Sequence, residues 1–290
     1  MQTTPLYLTL VLLFPLAAAA TPAPAPGTLP TLTKTLPASG IDQIKLLLST
    51  GKVRVLPSTD HTIRLRAKIH SGKTLHFIFD WRIGGPGKRP PRDLAIRTRR
   101  GGHTLVIGLN TRNQTMQLPA PNSSSAATPA TSESGSTITI ETNAISKTDI
   151  NVTGWSAQWT LWLPPRMAFS LIGGVGEVQV QGLYGGLKVK LGVGRLKAEL
   201  PRGPVTAELG TGQIRVRIAA SDYGNIHLAS GIGNVQLQVD GKRIRKGYKR
   251  NITAATQKLR GDAKTAYKLQ AGIGNVILSL GSPLTKGIEP

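Results

Sequence analysis

The 290-residue chain contains no cysteine, and this absence excludes disulfide bonds, thiolate metal sites and cysteine nucleophiles. Aromatic residues are few: four tryptophans, five tyrosines and four phenylalanines leave few platforms on which nucleic-acid bases could stack. Acidic residues are scarce as well, because fourteen aspartates and glutamates face thirty-six lysines and arginines. The net charge of +22 predicts a salt-dependent, largely non-specific attraction to polyanions, without a specific nucleic-acid ligand.

The motifs that carry catalysis are missing too. The sequence contains no HExxH motif and no paired histidine spacing of the kind that predicts a metal site. It also contains no Gly-x-Ser-x-Gly elbow and no complete phosphate-binding loop. We therefore expect no metal, no cofactor and no enzymatic activity. The enzyme alternative is a carbohydrate-active β-solenoid, which would need two convergent carboxylates. Glu199 and Glu208 are the candidates, as neighbours on stacked strands, although Lys197 and Arg215 beside them favour surface ion pairs.

Long apolar runs are absent except at the start of the chain. Residues 1–20 are largely apolar and end in four alanines, of which Ala18, Ala19 and Ala20 are typical of a secretory signal peptide cleaved before Thr21. The run has no lysine or arginine at its start, which departs from the usual pattern, and a retained membrane anchor is the alternative. We expect the protein to be exported.

Composition divides the rest of the chain into further segments. Residues 21–40 are a proline-rich leader, predicted to be extended and poorly ordered. Residues 41–118 contain several alternating apolar and polar runs and form an N-terminal β-strand region. Residues 119–136 are a flexible low-complexity insertion, and residues 137–282 hold a glycine repeat with a basic insertion at 241–271.

A short repeat organises residues 173–239. Each unit is a glycine–any–glycine sequence followed by alternating apolar and polar residues, and successive units begin at Gly174, Gly192, Gly210 and Gly231. The units start 18, 18 and 21 residues apart, and so short a period is typical of stacked supersecondary units. The alternation predicts strands of about five to seven residues with one buried face. We predict an all-β fold, a stacked short-strand β-solenoid or β-helix-like repeat domain.

Glycine and asparagine mark the predicted corners of this stack. Glycine tolerates positive φ, while asparagine tolerates left-handed backbone and bonds to its own turn. The predicted turn residues are Gly176, Gly194, Gly212, Gly224, Gly233, Gly274, Asn225, Asn234 and Asn275. A ladder of ligand-binding asparagine amides is the alternative to this structural role. The outward rows are predicted to hold Lys188, Lys190, Lys197, Glu199, Thr206, Glu208, Arg215, Arg217, His227, Gln236 and Gln238.

Three tryptophans lie close together, at Trp155, Trp159 and Trp162. In a strand, Trp155 and Trp159 share one face and Trp162 takes the other. Two interpretations stay open: large rings close one end of the strand stack, or Trp155 and Trp159 form an aromatic platform that binds a sugar.

The basic insertion supplies the first candidate for a ligand site, because ten basic residues between positions 241 and 271 face one acid, Asp262. The predicted polyanion-binding residues are Arg243, Arg245, Lys246, Lys249 and Arg250, with Arg97, Arg99 and Arg100 from a long loop predicted over residues 82–102. A solvated basic hairpin without a ligand is the alternative. Since the repeat resumes at Gly272, the insertion is predicted to leave the stack as a loop or hairpin.

Several of these motifs resemble a known family. They are the Gly-x-Gly-polar-Val-x-Val units, the GL-Y-GG-L spacer at residues 182–187, the W-x-L-x-L-P-P entry at residues 159–165 and TGKVRVLPSTDHTIRL at residues 50–65. Together they resemble the bacterial toastrack-type putative adhesin family, over residues 41–280 apart from the two polar insertions. The resemblance implies an exported stacked-strand β-solenoid in the periplasm or at the cell surface of a bacterium. It also implies a link with adhesion or envelope-stress sensing and brings no catalytic residues.

The sequence therefore predicts a non-enzymatic exported envelope protein, a binding or adhesion/scaffold module that contacts an anionic envelope polymer. The alternative partner is an envelope protein, in a stress-sensing or structural module. Peripheral contact with the membrane is compatible with both.

Overall fold

The computed structural model describes residues 31–71, 75–77, 81–83, 94–111, 137–143, 147–153 and 155–281. These residues form nineteen β-strands and no helix, and so no helix that could cross a membrane. The strands are β1 (Thr31–Pro37), β2 (Gln43–Pro57), β3 (Thr62–Ser71), β4 (Leu75–Phe77), β5 (Trp81–Ile83), β6 (Leu94–Gly101), β7 (Thr104–Thr111), β8 (Thr137–Asn143), β9 (Lys147–Thr153), β10 (Trp155–Leu163), β11 (Ala168–Gln181), β12 (Leu187–Leu200), β13 (Val205–Ile218), β14 (Asn225–Ile232), β15 (Val235–Val239), β16 (Lys242–Ile244), β17 (Tyr248–Arg250), β18 (Ala255–Arg260) and β19 (Tyr267–Leu280). The all-β prediction is confirmed, whereas the predicted signal peptide and the insertion at residues 119–136 lie outside the described residues.

Fifteen of the strands form one hydrogen-bonded sheet, whose centre is parallel. The central strands follow the spatial order β2–β11–β12–β13–β19 and pair in register on both sides of their glycines. Because β2 comes from the N-terminal β-strand region, this region and the glycine repeat share one sheet. The pairs β4–β5 and β8–β9 form two small separate sheets.

Each central strand is longer than predicted, because it continues through its glycine unit. β11, β12, β13 and β19 have 14 residues and β2 has 15. We call the residues before the glycine unit the first arm and those after it the second arm; in β12 these are residues 187–191 and 195–200. Buried side chains alternate along both arms but change phase at the glycines: in β12 they are Leu187, Val189 and Leu191, then Leu196, Ala198 and Leu200. Both arms therefore bury one face in the same hydrophobic core and expose the other.

The glycines of the repeat units stack on one another across the sheet. Gly176, Gly194, Gly212 and Gly274 are direct register neighbours, with Gly51 beside Gly176. A Cβ atom at Gly194, Gly212 or Gly274 would overlap the carbonyl oxygen of the preceding glycine in this column. The same three residues have φ of 149°, 139° and 137°, where residues with side chains are strained. The close approach of the strands at this column thus requires glycine, which explains why the unit repeats.

The predicted asparagine corners have a different geometry. Among the described residues, Asp240 is the only non-glycine residue with positive φ, so the prediction of left-handed turns at Asn225, Asn234 and Asn275 is wrong. The glycines that precede Asn234 and Asn275 take the positive φ instead. Asn275 Oδ1 accepts a hydrogen bond of 3.2 Å from the backbone N–H of Asn234, which lies between β14 and β15, and this bond links the last two repeat units.

Further strands continue the sheet on both sides of its parallel centre. At one end, β10 pairs with the second arm of β2 and is followed by β3 and β1, while β7 and β6 extend the first arm. At the other end, β14 and β15 pair with the two arms of β19, and β18, β17 and β16 follow. These strands occupy backbone groups that would otherwise form two open edges. The order also differs from the sequence, because β19 lies between β13 and β14.

The prediction that the basic insertion leaves the stack is wrong. Its residues form β16, β17 and β18 and continue the sheet beyond β14 and β15. Ala255 and Gln257 of β18 are buried, and Gln257 Nε2 donates hydrogen bonds to the carbonyls of Ile244 (2.8 Å) and Lys246 (3.1 Å). The buried side chains of β18 and the hydrogen bonds of the Gln257 amide therefore hold the insertion at this end of the sheet.

Two segments predicted without regular structure are strands. Residues 31–37 of the leader form β1, which pairs with β3, and Leu32 and Leu36 pack against the core. Residues 94–101 of the predicted long loop form β6, which pairs with β7 and buries Ile96. In both segments, alternating apolar residues favour a strand, and this preference outweighs the tendency of nearby prolines and glycines to form loops.

Candidate anion-binding face

The outward side of the second arms forms a cationic surface, which we call the second-arm face. Strand pairing aligns its residues in rows across β3, β10, β2, β11, β12 and β13, and one row continues to β16. Its ten cationic residues are Arg64, Arg66 and Lys68 of β3, Lys52 and Arg54 of β2, Arg195 and Lys197 of β12, Arg215 and Arg217 of β13, and Arg243 of β16. The carboxylates in the same rows are Glu177 and Glu199. Arginine predominates, and its planar guanidinium can bind an oxyanion through two parallel hydrogen bonds.

From β3 to β12, cationic strands of this face alternate with strands that carry no cation, whereas β13, which lies next to β12, also carries two cations. β3, β2 and β12 each present at least two cations. Between β3 and β2, β10 presents Gln158 and Thr160; between β2 and β12, β11 presents Glu177 and Gln179. Because neighbouring strands lie about 4.8 Å apart, the cationic strands repeat at about 10 Å. The face therefore presents regular rows of positive charge.

Only part of this charge is neutralised within the protein. Lys52 Nζ lies 3.2 Å from Glu177 Oε2, and Lys197 Nζ lies 3.1 Å from Glu199 Oε1. Five exposed cations form no ion pair with any acidic residue of the described segments; they are Arg54, Arg66, Lys68, Arg215 and Arg243. These side chains are available to an external anion.

Glu177 is the acidic interruption in this face, and it is partly buried. Burial raises the pKa of its carboxyl group, but a hydrogen bond of 3.0 Å from Gln179 Nε2 and the neighbouring Lys52 lower that pKa more. Arg195 acts in the same direction, so the pKa of Glu177 lies below its ordinary value. The hydrogen bond from Gln179 and the cations of the face therefore favour the ionised form of this carboxylate.

We expect Glu177→Gln to destabilise the fold by about 0.5–1 kcal/mol at neutral pH. A carboxyl with a lower pKa in the folded state stabilises the fold above its unfolded pKa, and this contribution disappears as the pH falls through the folded pKa. Chemical unfolding of both proteins at neutral and strongly acidic pH measures the difference. Lys52→Gln is the control, because it should raise the pKa of Glu177 and weaken the pH dependence. A difference that is equal at every pH would contradict this account.

The predicted polyanion-binding residues fall into two separate groups. Arg97, Arg99 and Arg100 lie on β6, and nine strand spacings separate β6 from β17, a distance on the order of 40 Å. At the other end, all five predicted residues are exposed: Arg243 ends the second-arm face, Arg245 and Lys246 lie between β16 and β17, and Lys249 and Arg250 lie on β17. The two groups therefore do not form one site.

Sequence reasoning did not select Arg54, Arg66 and Lys68 as site residues. They were visible as polar members of alternating strands, and that alternation was the available signal. Their neighbours in space come from β10 and β11, which lie far away in the sequence.

The aromatic platform predicted at Trp159 is wrong. Trp159 is 1% exposed and lies in register between Val53 and Ala67, whose small side chains leave room for its ring in the core. The prediction for the Trp155 side chain lies outside the described residues. Trp162 is the outward tryptophan of β10, and the guanidinium carbon of Arg64 lies 5.8 Å from the centre of its ring.

The predicted pair of carboxylates does not form. Glu199 lies on the second arm of β12 opposite Arg217, whereas Glu208 lies on the first arm of β13 opposite Lys190. Glu208 contacts Lys190 at 3.9 Å and Lys268 at 3.6 Å. Of the two predicted ion-pair partners, Lys197 contacts Glu199 at 3.1 Å, whereas Arg215 forms no ion pair with an acidic residue of the described segments. The outward rows are otherwise as predicted, but Glu199 is 3% exposed. Within the described segments, no three histidine, aspartate or glutamate side chains are grouped so that they could hold a metal ion.

Comparison with known proteins gives little further information. No family model matches this chain, and no curated protein matches it. A crystal structure of a "putative cell adhesion protein" from Clostridium sporogenes ATCC 15579 is similar, with 13% sequence identity and a TM-score of 0.47. The similarity covers 87% of this chain and 100% of that chain. At this identity and score, it carries no argument about what this chain does.

Proposed function

We propose that this protein is a non-enzymatic exported envelope protein that binds a linear anionic polymer along the second-arm face, as an adhesion or scaffold module. The observation that carries the proposal is the alignment of exposed arginine and lysine side chains in rows across neighbouring strands. Five of these cations have no acidic partner among the described residues. An external polyanion would supply the missing negative charge.

A linear polymer fits this surface better than a small ligand. In this proposal the in-register strands are the turns of a β-solenoid, and the polymer lies across them. Such a chain meets the cations of β3, β2, β12 and β13 in succession, at spacings of about 5–10 Å. Each contact releases counterions from the polymer, so the affinity rises with the number of contacts and falls with salt.

The proposal is tested by titrating the full chain with heparin, a linear sulfated polysaccharide, between about 50 and 200 mM salt. The variant Arg54→Ser/Arg66→Ser/Arg215→Ser removes three exposed cations from the second-arm face. We expect its affinity to be about a hundredfold lower at the lowest salt. By analogy with phosphate contacts to DNA, the slope of log affinity against log salt concentration should become shallower by about two to three.

The matched control is Arg245→Ser/Lys246→Ser/Lys249→Ser, which removes the same charge from the end of the stack. We expect this variant to lose only a few-fold in affinity, because long-range attraction alone is reduced. An equal loss of heparin affinity in both variants would show that binding depends on the net charge of the protein and not on the second-arm face. Absence of heparin binding at low salt would reject the proposal and favour a protein partner.

A further inference from the structure

Three exposed isoleucines lie at one corner of the stack, which we call the isoleucine corner. Ile252 is 98% exposed, Ile232 is 53% exposed and Ile273 is 49% exposed. They are the exposed large hydrophobic residues of the described part of the chain. Single exposed apolar residues are ordinary on protein surfaces, but a group of them indicates contact with a partner or a membrane.

Strand pairing and one hydrogen bond bring the three residues together. Ile232 of β14 and Ile273 of β19 are direct register neighbours. Ile252 lies in the turn between β17 and β18, which is closed by a hydrogen bond of 2.9 Å from Asn251 N to Ala254 O. The backbone N–H of Gly233 donates to Thr253 O at 3.1 Å, so this turn lies beside the end of β14.

The chain segments that carry the three isoleucines contain only positive charge. Residues 228–236, 248–256 and 269–277, which surround the three isoleucines, contain no aspartate or glutamate. Their charged residues are Lys249 and Arg250 of β17, both exposed, and successive residues of a strand point to opposite faces. One cation therefore lies on each side of the projecting turn.

We propose that the isoleucine corner docks the protein on an anionic lipid bilayer. Ile252, Ile232 and Ile273 would enter the interface between headgroups and acyl chains, while Lys249 and Arg250 would contact the anionic headgroups. Apolar insertion combined with attraction of basic residues is how peripheral proteins bind such membranes. A second copy of this chain fits less well, because a symmetric contact would bring Lys249 and Arg250 towards their own copies. This site is separate from the second-arm face.

The absence of cysteine allows a direct test. An environment-sensitive fluorophore attached to Ile252→Cys in the full chain reports the polarity at the tip of the turn. We expect its emission to shift to the blue with vesicles of phosphatidylglycerol and phosphatidylcholine, and to stay unchanged with phosphatidylcholine alone. The control is Thr59→Cys, in the exposed turn between β2 and β3 at the other end of the stack, where no shift is expected. An unchanged emission at position 252 would overturn the proposal.

Vesicle partitioning of unlabelled variants measures how much the apolar and the basic residues of the isoleucine corner each contribute to membrane binding. Ile252→Ser should weaken binding to anionic vesicles about tenfold, because it removes one inserted apolar side chain. Lys249→Ser/Arg250→Ser should also weaken it about tenfold at low salt and much less at high salt. Arg66→Ser/Lys68→Ser removes the same charge from the second-arm face and should change vesicle binding little while reducing heparin binding. The proposal would be overturned if both double charge variants lost the same affinity for anionic vesicles. It would also be overturned if Ile252→Ser changed only the self-association of the protein.

Discussion

Replacement of Gly212 by alanine is expected to destabilise the fold by roughly 4 kcal/mol or more. The added Cβ would overlap the carbonyl oxygen of Gly194, and the alanine would have to keep a φ of 139°. Gly194 cannot move away easily, because Gly176 lies on its other side in the same column. A loss of this size is a large part of the 5–15 kcal/mol that typically stabilises a domain, so partial unfolding or poor expression is also expected.

Gly102→Ala is the matched control for this steric effect. Gly102 also has a positive φ, 57°, but a Cβ there would meet no heavy atom within 4 Å. Only the backbone preference is lost, at a cost of about 1–2 kcal/mol. Denaturant unfolding followed by circular dichroism measures both free energies of unfolding. Similar losses in the two variants would show that contact between stacked glycines does not dictate the repeat.

Trp159→Ala should cost about 3–5 kcal/mol, the second large effect. Trp159 is among the largest fully buried side chains and lies where β10 joins the second arm of β2 to β3. Its removal would leave a cavity between Val53 and Ala67, which are too small to fill the space. The end of the stack should therefore lose stability and become accessible to proteases.

Trp162→Ala is the control on the same strand. This ring points outward and contacts Arg64, so its removal leaves no internal cavity and should cost about 1 kcal/mol or less. Denaturant unfolding again gives the two free energies. If Trp162→Ala were the more costly change, the assignment of inward and outward faces in β10 would be reversed.

Much of the fold was predictable because its determinants are local. Alternation from Leu187 to Leu191 and from Leu196 to Leu200 identified strands with one buried side, and burial along β12 follows it. The positive φ expected of glycine is found at Gly194, Gly212 and Gly274, but these residues lie inside continuous strands and not at corners. The strand lengths were wrong because the sequence shows a glycine unit as a break, whereas pairing of both arms with the same neighbours keeps the strand continuous.

The candidate site was predictable only in part. Net charge indicated a polyanion, and alternation identified Arg215 and Arg217 as outward residues. The densest run of basic residues, between positions 243 and 250, drew the prediction to the end of the stack. Charge density along a chain does not measure charge density on a surface, because residues aligned across a sheet come from distant segments.

The sequence by itself determined the all-β class, the excess of positive charge, the period of the repeat and the buried side of the repeat strands. These properties depend on residue type and on spacing along the chain, which the sequence states directly. Only the tertiary structure decided that β2 and β3 flank β10, that β19 lies between β13 and β14, and that three isoleucines meet at one corner. The physical reason is that sheet order depends on which strands pair, and long-range backbone hydrogen bonds between similar strands carry little sequence specificity. The second-arm face and the isoleucine corner both follow from that order.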